Sequence, residues 1–145
     1  MNDTQKNRMN QIRQESREDY LEALFLLLKG QNEVRSSDLA SFMGFSRASV
    51  SQAVLSLERD GFLLMDEKYC LHLTEQGSLT AEKTHRKHIF FEKNLVLAGV
   101  DPVLADREGS RMGHSLSNES FERIAAGGMR KEEELNSYES SDFQT

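Results

Sequence analysis

The sequence predicts a mainly α-helical fold with one small β-hairpin, and three observations support this prediction. Apolar residues recur at helical spacing in several segments, which begin at a capping residue and end at glycine. Two short β-like runs follow one another, with a polar segment between them. The chain has 145 residues, of which 37% are apolar, which suits one compact domain or two small ones that share a core.

Composition excludes several classes of protein. No apolar run approaches the roughly 20 residues that a helix needs to cross a bilayer. The polar N-terminus lacks the apolar core of a signal peptide, and we therefore expect a cytoplasmic protein with no membrane contact. The single cysteine, Cys70, excludes an internal disulfide and a CxxC zinc site, and we expect it to be a small buried residue in a strand.

The formal net charge of −6 argues mildly against a nucleic-acid partner, because affinity for DNA depends on lysine and arginine. Much of this charge lies in residues 129–145, which are acidic and poor in apolar side chains. We expect residues 127–145 to form a disordered acidic tail. The net charge of the whole chain therefore says little about any one local face.

The first helix is predicted to begin at Ser16. The acidic residue three positions later completes a pattern that resembles a capping box, and apolar residues at helical spacing follow. Gly30 is the expected end of this helix. Residues 1–15 are a polar extension, which either lengthens the helix or stays loose.

Two shorter helices come next, joined by a tight turn. The second helix begins near Ser36 and ends at Gly44, and the third spans residues 47–60 with Ser46 as its cap. Small and apolar residues at fixed spacing predict that these two helices pack on each other. The residues expected in this small core are Leu39, Ala40, Phe42, Val50, Val54 and Leu57.

The β-like runs cover residues 62–65 and 69–73, and the polar residues 66–68 between them are predicted to form the tip of a hairpin. In the second run, Tyr69 and every second residue after it are apolar, as in a half-buried strand. A helix, a tight turn, a helix and a hairpin together make a winged helix-turn-helix. We place this domain at residues 16–76.

The rest of the chain predicts three more helices. Thr74 caps a long fourth helix at residues 75–98, a fifth covers residues 102–112, and a short sixth covers residues 119–126. The fourth helix carries more apolar residues than a monomer needs to bury, which favours a homodimer.

The exposed face of the third helix is predicted to enter the major groove of DNA. Short hydroxyl side chains near a helix N-terminus suit phosphate contacts, whereas arginine and glutamine read base edges. The alternative is that these side chains only face solvent. The candidate DNA-binding residues are Ser46, Arg47, Ser49, Ser51 and Gln52 on the helix and Lys68 on the wing.

Carboxylates and imidazoles recur at helical spacing on three other helices. Such ligands suit Mn²⁺, Fe²⁺ or Zn²⁺. On spacing alone, however, a solvated charged face is the commoner outcome. The residues concerned are Asp19 and Glu22 on helix one, His85, His88 and Glu92 on helix four, and Asp106, Glu108 and His114 around helix five.

Two separated regions of the sequence resemble the diphtheria toxin repressor family of iron- and manganese-dependent metalloregulators. The matching segments are SREDYLEALFLLL at 16–28, RDGFL at 59–63, LTxxG at 73–77, KH at 87–88, GVD at 99–101 and HxxS at 114–117. The resemblance implies a winged helix that binds an operator and a helical part, residues 77–126, that dimerises and carries metal.

The family's additional barrel domain would not fit after residue 126, so the chain resembles the shorter, manganese-regulator branch. In that branch, metal favours the DNA-binding geometry and the dimer represses genes for metal uptake. The resemblance implies Mn²⁺ or Fe²⁺ as the cofactor. The residues that match family ligands are Asp19, Glu22, His88 and His114, and those at the ancillary positions are Glu92 and Asp106, the latter standing where the family has histidine.

Two positions depart from the family pattern. The family has Glu directly before the histidine of the fifth helix, where this chain has Gly113, and it has Glu or Cys three residues earlier, where this chain has Ser110. Two anionic ligands are therefore absent. We expect metal affinity to be much weaker or lost, unless groups such as Glu108 or Asp106 are recruited.

Three other functions stay open beside the metal-dependent DNA-binding regulator. A winged-helix regulator with a degenerate metal site would respond to another signal or to none. A winged-helix module for protein partners would suit the acidic balance and the poorly basic wing. An enzyme of metal-assisted hydrolysis is disfavoured, because the sequence has no Gly-rich phosphate loop, no HExxH motif and no nucleophile with its base. We therefore predict no catalytic residues.

Overall fold

The structure, a computed structural model, describes residues 2–127. The predicted fold class, mainly helical with a two-stranded antiparallel hairpin, is confirmed. Residues up to His114 form one compact unit, and a second unit begins at Ser115. The elements are α1 (Asp3–Gly30), α2 (Ser36–Met43), α3 (Arg47–Arg59), β1 (Leu63–Met65), β2 (Leu71–Leu73), α4 (Glu75–Leu97), α5 (Pro102–Ser115) and α6 (Asn118–Gly127).

The predicted acidic tail, apart from Gly127, lies outside the described residues. Within residues 2–127, no helix combines the length and the apolar character needed to cross a membrane.

The first helix begins at Asp3, so the predicted start at Ser16 is wrong. Asn2 caps the helix: its side-chain oxygen accepts the Gln5 N–H at 2.8 Å, and the Gln5 side chain accepts the Asn2 N–H at 3.2 Å. This reciprocal pair satisfies two N–H groups at the helix start. Residues 3–15 contain no Gly or Pro that would end a helix, and the polar extension therefore lengthens α1.

Helices α2 and α3 pack as predicted, with one correction. Leu39, Val50 and Val54 are fully buried, and Gly44 makes the tight turn with a φ of +70°. Phe42, expected in this core, is 53% exposed. At about 100° per residue, Phe42 lies about 100° away from the centre of the face that α2 buries. That face is formed by Leu39, Ala40 and the partly buried Met43.

The hairpin forms, but its second strand is shorter than predicted. Asp66 closes a longer turn: its side chain accepts the N–H groups of Lys68 at 2.8 Å and Cys70 at 3.0 Å. Tyr69 therefore lies in the turn, exposed and with a φ of +64°, rather than in a strand. Cys70 is buried as expected, but it precedes β2. The strands pair in the register Leu63↔Leu73.

Helix α4 starts close to the hairpin and then runs along α1. The Thr74 hydroxyl caps α4 by accepting the Gly77 N–H, and it donates to the Gly61 carbonyl at 2.7 Å. A Cβ at Gly77 would lie 1.9 Å from the Phe62 carbonyl oxygen, so only glycine fits this contact. Further along, Ala81 is buried in the same core as Leu21 of α1. This packing sets the face of α1 that α4 covers.

Helix α5 crosses α4 at a very short distance. A Cβ at Gly109 would lie 2.7 Å from the backbone nitrogen of Glu92, and one at Gly113 would lie 3.1 Å from Lys87 Cβ. Both glycines are buried. Glycine at these positions therefore lets the two helix backbones approach.

We expect Gly109→Ala to destabilise the protein by about 1–3 kcal/mol, because the new methyl group meets backbone atoms of α4 that cannot move aside. Urea denaturation measures the loss. Gly30→Ala is the matched control, since nothing lies within 4 Å of a Cβ there. Equal stability of Gly109→Ala and the wild-type protein would contradict the close helix contact.

Candidate functional site

The buried carboxylate of Glu22 lies between α1 and α4. His85 Nδ1 and His88 Nδ1 both donate to Glu22 Oε2, at 3.0 Å and 2.9 Å. Burial raises the pKa of Glu22, but the hydrogen bonds with His88 and His85 outweigh it and hold the pKa below its usual value. An ionised carboxylate is thus kept in the interior because two imidazoles face it.

His88 is the most connected side chain of this cluster. Its Nε2 lies 2.8 Å from Asp106 Oδ1, 3.0 Å from the Asp106 carbonyl oxygen and 3.6 Å from Glu92 Oε2. The hydrogen bond with Glu22 raises the pKa of His88 to about 9, against the effect of burial, and Asp106 adds to the shift. Carboxylates from α1, α4 and α5 therefore converge on one imidazole.

His114 forms a second cluster with α1. Its Nδ1 donates to Glu18 Oε2 and its Nε2 donates to Asp19 Oδ1, both at 2.6 Å. Burial lowers the pKa of His114, but the hydrogen bonds with Asp19 and Glu18 outweigh it and raise the pKa to about 10. The pKa of Glu18 is lowered in turn: burial raises it, and the hydrogen bond with His114 more than offsets that.

The structure divides the predicted ligand set between these two clusters. That these residues bind metal stays a prediction. The structure shows which side chains each of them contacts. The His88 cluster contains Glu22, His85, His88, Glu92 and Asp106, and the His114 cluster contains Glu18, Asp19 and His114.

Glu18 was not predicted as a ligand, and His85 was a candidate from its spacing alone, without a match to a family ligand. His85 carried a signal, since it is spaced i, i+3 from His88 on the face of α4 that meets α1. Glu18 carried only an i, i+4 relation to Glu22, and its partner His114 is 96 positions away in the sequence. Of the two groups considered as replacements for the missing carboxylates, Asp106 contacts His88.

Within residues 2–127, two sets of three residues offer one ligand atom per residue, with the three atoms within 4.8 Å of one another: Glu22–His85–His88 and His88–Glu92–Asp106. Carboxylate oxygen and imidazole nitrogen are donors that suit divalent first-row ions. The residues present therefore fit such an ion. Neither set includes Ser110, whose hydroxyl lies 3.5 Å from His114 Nε2.

Comparison with known proteins identifies the family. Residues 14–70 match the family model described as "Iron dependent repressor, N-terminal DNA binding domain". The transcriptional regulator MntR of Lysinibacillus sphaericus is 31% identical over 110 residues, which cover 76% of this chain and 79% of that protein. The chain belongs to the MntR family of metal-dependent transcriptional regulators. The resemblance noted in the sequence is thereby confirmed.

A second curated relative and a solved structure are also similar to this chain. MntR of Salmonella typhimurium is 30% identical over 114 residues, which cover 79% of this chain and 73% of that protein. The structure of the manganese regulator SloR matches with a TM-score of 0.66 and 26% identity, over 74% of this chain and 51% of that one. The chain thus spans about half the length of this structural relative.

The second candidate surface is the outer side of α3. The α3 residues predicted to bind DNA are all exposed, and the Ser46 hydroxyl caps the helix by accepting the Ser49 N–H at 3.1 Å. Arg35 Nε donates to the Lys68 carbonyl at 3.2 Å, which adds a second basic side chain beside the wing. No local pattern pointed to Arg35, because 33 positions separate it from Lys68.

We expect the metal-free protein to lose stability as pH rises from about 6.5 to about 10. The folded-state pKa of His114 is raised to about 10, so its contribution is fully present below the unfolded value and is lost as pH rises through the folded one. His88, with its pKa raised to about 9, adds to the same loss. Urea denaturation at pH 6, 8 and 10 measures the slope.

His114→Gln should flatten this pH dependence, because the variant cannot take up the proton. The part that belongs to His88 should remain. If the variant and the wild-type protein showed identical slopes between pH 6.5 and 10, the ion pairs of His114 would not exist in solution.

Proposed function

We propose that the chain is a metal-dependent DNA-binding transcription regulator, a homodimer that represses genes for metal uptake in the cytoplasm. The observation that carries this proposal is that α1 contacts both the helix-turn-helix core and the histidine clusters. One face of α1 packs into the helix-turn-helix core, and the carboxylates of the same helix face the histidines of α4 and α5.

The coupling follows from adjacent residues of α1. Leu21 and Leu24 are fully buried in the cluster that also holds Val50 and Val54 of α3. Glu22 lies between them in the sequence and is directed to α4 instead. Any change in how Glu22 is held therefore acts on the helix that supports α3.

The DNA contacts are proposed for residues 16–76. Arg47 and Gln52 are exposed on α3 and have the donors and acceptors to read base edges. Ser46 and Ser49 lie at the N-terminus of α3, where hydroxyl groups, backbone N–H groups and the helix dipole favour a phosphate. Lys68 supplies a contact from the wing. Ser51 is proposed as a further contact.

Dimerisation is proposed for residues 77–126. In the single chain, large apolar side chains are exposed on α4 and α5: Ile89, Val96, Leu97 and Val103. Burial of such side chains against a second copy is favourable in proportion to the apolar area removed from water. A two-fold dimer is the commonest arrangement of a soluble oligomer.

The proposed cofactor is Mn²⁺ or Fe²⁺. Relatives named as manganese regulators and repressors support this assignment. When bound, the ion supplies positive charge at the point where the carboxylates converge. The residues proposed to hold metal are Asp19, Glu22, His88 and His114, with Glu92 and Asp106 proposed for an ancillary site.

A regulator that needs no metal is the second candidate, and one observation favours it. Both ring nitrogens of His88 and of His114 already face carboxylates, and the pKa values of about 9 and about 10 keep both rings protonated at neutral pH. Two imidazolium groups thus satisfy the carboxylates of α1. In either case the proposed role is regulatory rather than catalytic, in keeping with relatives named as transcriptional regulators.

Separate variants should remove DNA binding and metal dependence independently. An operator is first selected from genomic fragments, and affinity is then measured by fluorescence anisotropy with Mn²⁺, with anaerobic Fe²⁺ and with chelator. We expect Arg47→Ala and Gln52→Ala each to weaken binding at least about fivefold, the lower range for a lost base contact. His88→Ala should instead abolish the difference between metal and chelator.

Arg107→Ala, at an exposed arginine of α5, is the matched control and should bind the operator as the wild-type protein does. Tight binding in chelator by the wild-type protein would favour the metal-independent regulator. Unchanged affinity of both α3 variants would show that this helix does not read DNA.

A further inference from the structure

His85 is the side chain of the His88 cluster that the family resemblance does not account for. We propose that His85 is a metal ligand, so that Glu22, His85 and His88 form a site of two imidazoles and one carboxylate that favours Fe²⁺ or Zn²⁺ over Mn²⁺. This inference rests on the proposed function as a metal-dependent regulator. It names the ligand and the selectivity that this chain has in place of the missing carboxylates at Ser110 and Gly113.

The distances already suit three ligands around one ion. His85 Nδ1 and His88 Nδ1 lie 3.0 Å and 2.9 Å from the same oxygen of Glu22. With metal–ligand bonds of about 2.1 Å, neighbouring ligands of one ion lie about 3.0–3.4 Å apart. All three residues offer atoms within 4.8 Å of one another. Each imidazole–carboxylate distance is therefore close to that of two ligands that share one ion.

The surroundings hold His85 in place. Its side chain is 25% exposed, the Phe25 ring lies 6.0 Å away between centroids, and the His88 ring stands nearly perpendicular at 6.3 Å. Glu22 is 9% exposed at its side chain and is fixed by α1 packing. His85, which is partly shielded from solvent, and the buried carboxylate of Glu22 are therefore two metal donors that are already held in place.

The selectivity follows from the donor types. Imidazole suits Fe²⁺ and Zn²⁺, whereas carboxylate and water suit Mn²⁺. The set that the structure brings together, Glu22, His85 and His88, has two imidazoles and a single carboxylate. Two histidines and one carboxylate with open positions are typical of Fe²⁺ sites. We therefore expect the site to bind Fe²⁺ or Zn²⁺ more tightly than Mn²⁺.

Nitrogen-15 NMR of the histidine side chains tests ligation directly. The full-length protein is titrated with Zn²⁺, and the histidine signals are assigned through backbone connectivities in the wild-type protein. We expect one ring nitrogen of His85 and one of His88 to take the shift of a metal-bound nitrogen at one equivalent. A shift at His88 without one at His85 would reduce His85 to a positioning residue and overturn the proposal.

Calorimetry tests selectivity. Dissociation constants are measured for Zn²⁺, anaerobic Fe²⁺ and Mn²⁺ on the wild-type protein, His85→Gln and the control His72→Gln, which removes a hairpin histidine that contacts Asp66. We expect His85→Gln to lower the affinity for Zn²⁺ and for Fe²⁺ at least about tenfold, because glutamine offers only a neutral oxygen. The affinity for Mn²⁺ should fall less. The control should match the wild-type protein. Equal losses for all three ions, or none, would contradict the proposal.

These measurements do not involve DNA, so the two proposals fail separately. Binding of Zn²⁺ through His85 by a protein whose operator affinity ignores metal would leave the ligand assignment intact and refute the metal-dependent function. Metal-dependent operator binding without a metal-induced NMR shift at His85 would support the metal-dependent function and refute the ligand assignment.

Discussion

The burial of one carboxylate, that of Glu22, is the constraint on which the arrangement of the larger unit depends. An ionised group at this depth is tolerated only with close donors, and His85 and His88 supply them from α4. Because Glu22 is flanked by core residues of α1, the ion pair and the helix-turn-helix core constrain the same helix. The start of α4 is fixed independently, by the Thr74 cap and its bond to Gly61.

Two buried glycines of α5 lie at its contact with α4. A Cβ at Gly113, which the sequence resemblance matches to a ligand position, would lie 3.1 Å from Lys87 Cβ. Gly109 one turn earlier allows a still closer approach to Glu92. The close crossing of the helices is compatible with Asp106 reaching His88 by both its side chain and its carbonyl group. The two buried glycines and the contact of Asp106 with His88 therefore belong to one interface between α4 and α5.

Local signals in the sequence predicted most helices and strands, but they did not predict which side chains meet in the His88 and His114 clusters. The caps Ser46 and Thr74 placed the starts of α3 and α4 correctly, and Gly44 placed the end of α2, because each signal acts within one turn of its own helix. The apparent cap at Ser16 was wrong because a better cap, Asn2, lies upstream of a segment with no helix breaker. Spacing found His88, but the partners of Glu18 and Glu22 lie 96 and 63 positions away. Such pairings depend on how α1, α4 and α5 pack.

The carboxylates of α1 require a cation, and the structure allows two kinds. Protonated His88 and His114 place two positive charges against the three carboxylates of Glu22, Glu18 and Asp19, through bonds of 2.6–2.9 Å. A divalent ion carries two charges and binds only deprotonated imidazoles, so it competes with these protons for the same lone pairs. Both cations attract α1 to α4 and α5. Because Leu21 and Leu24 of α1 share a buried core with α3, a cation that holds α1 also constrains the helix-turn-helix.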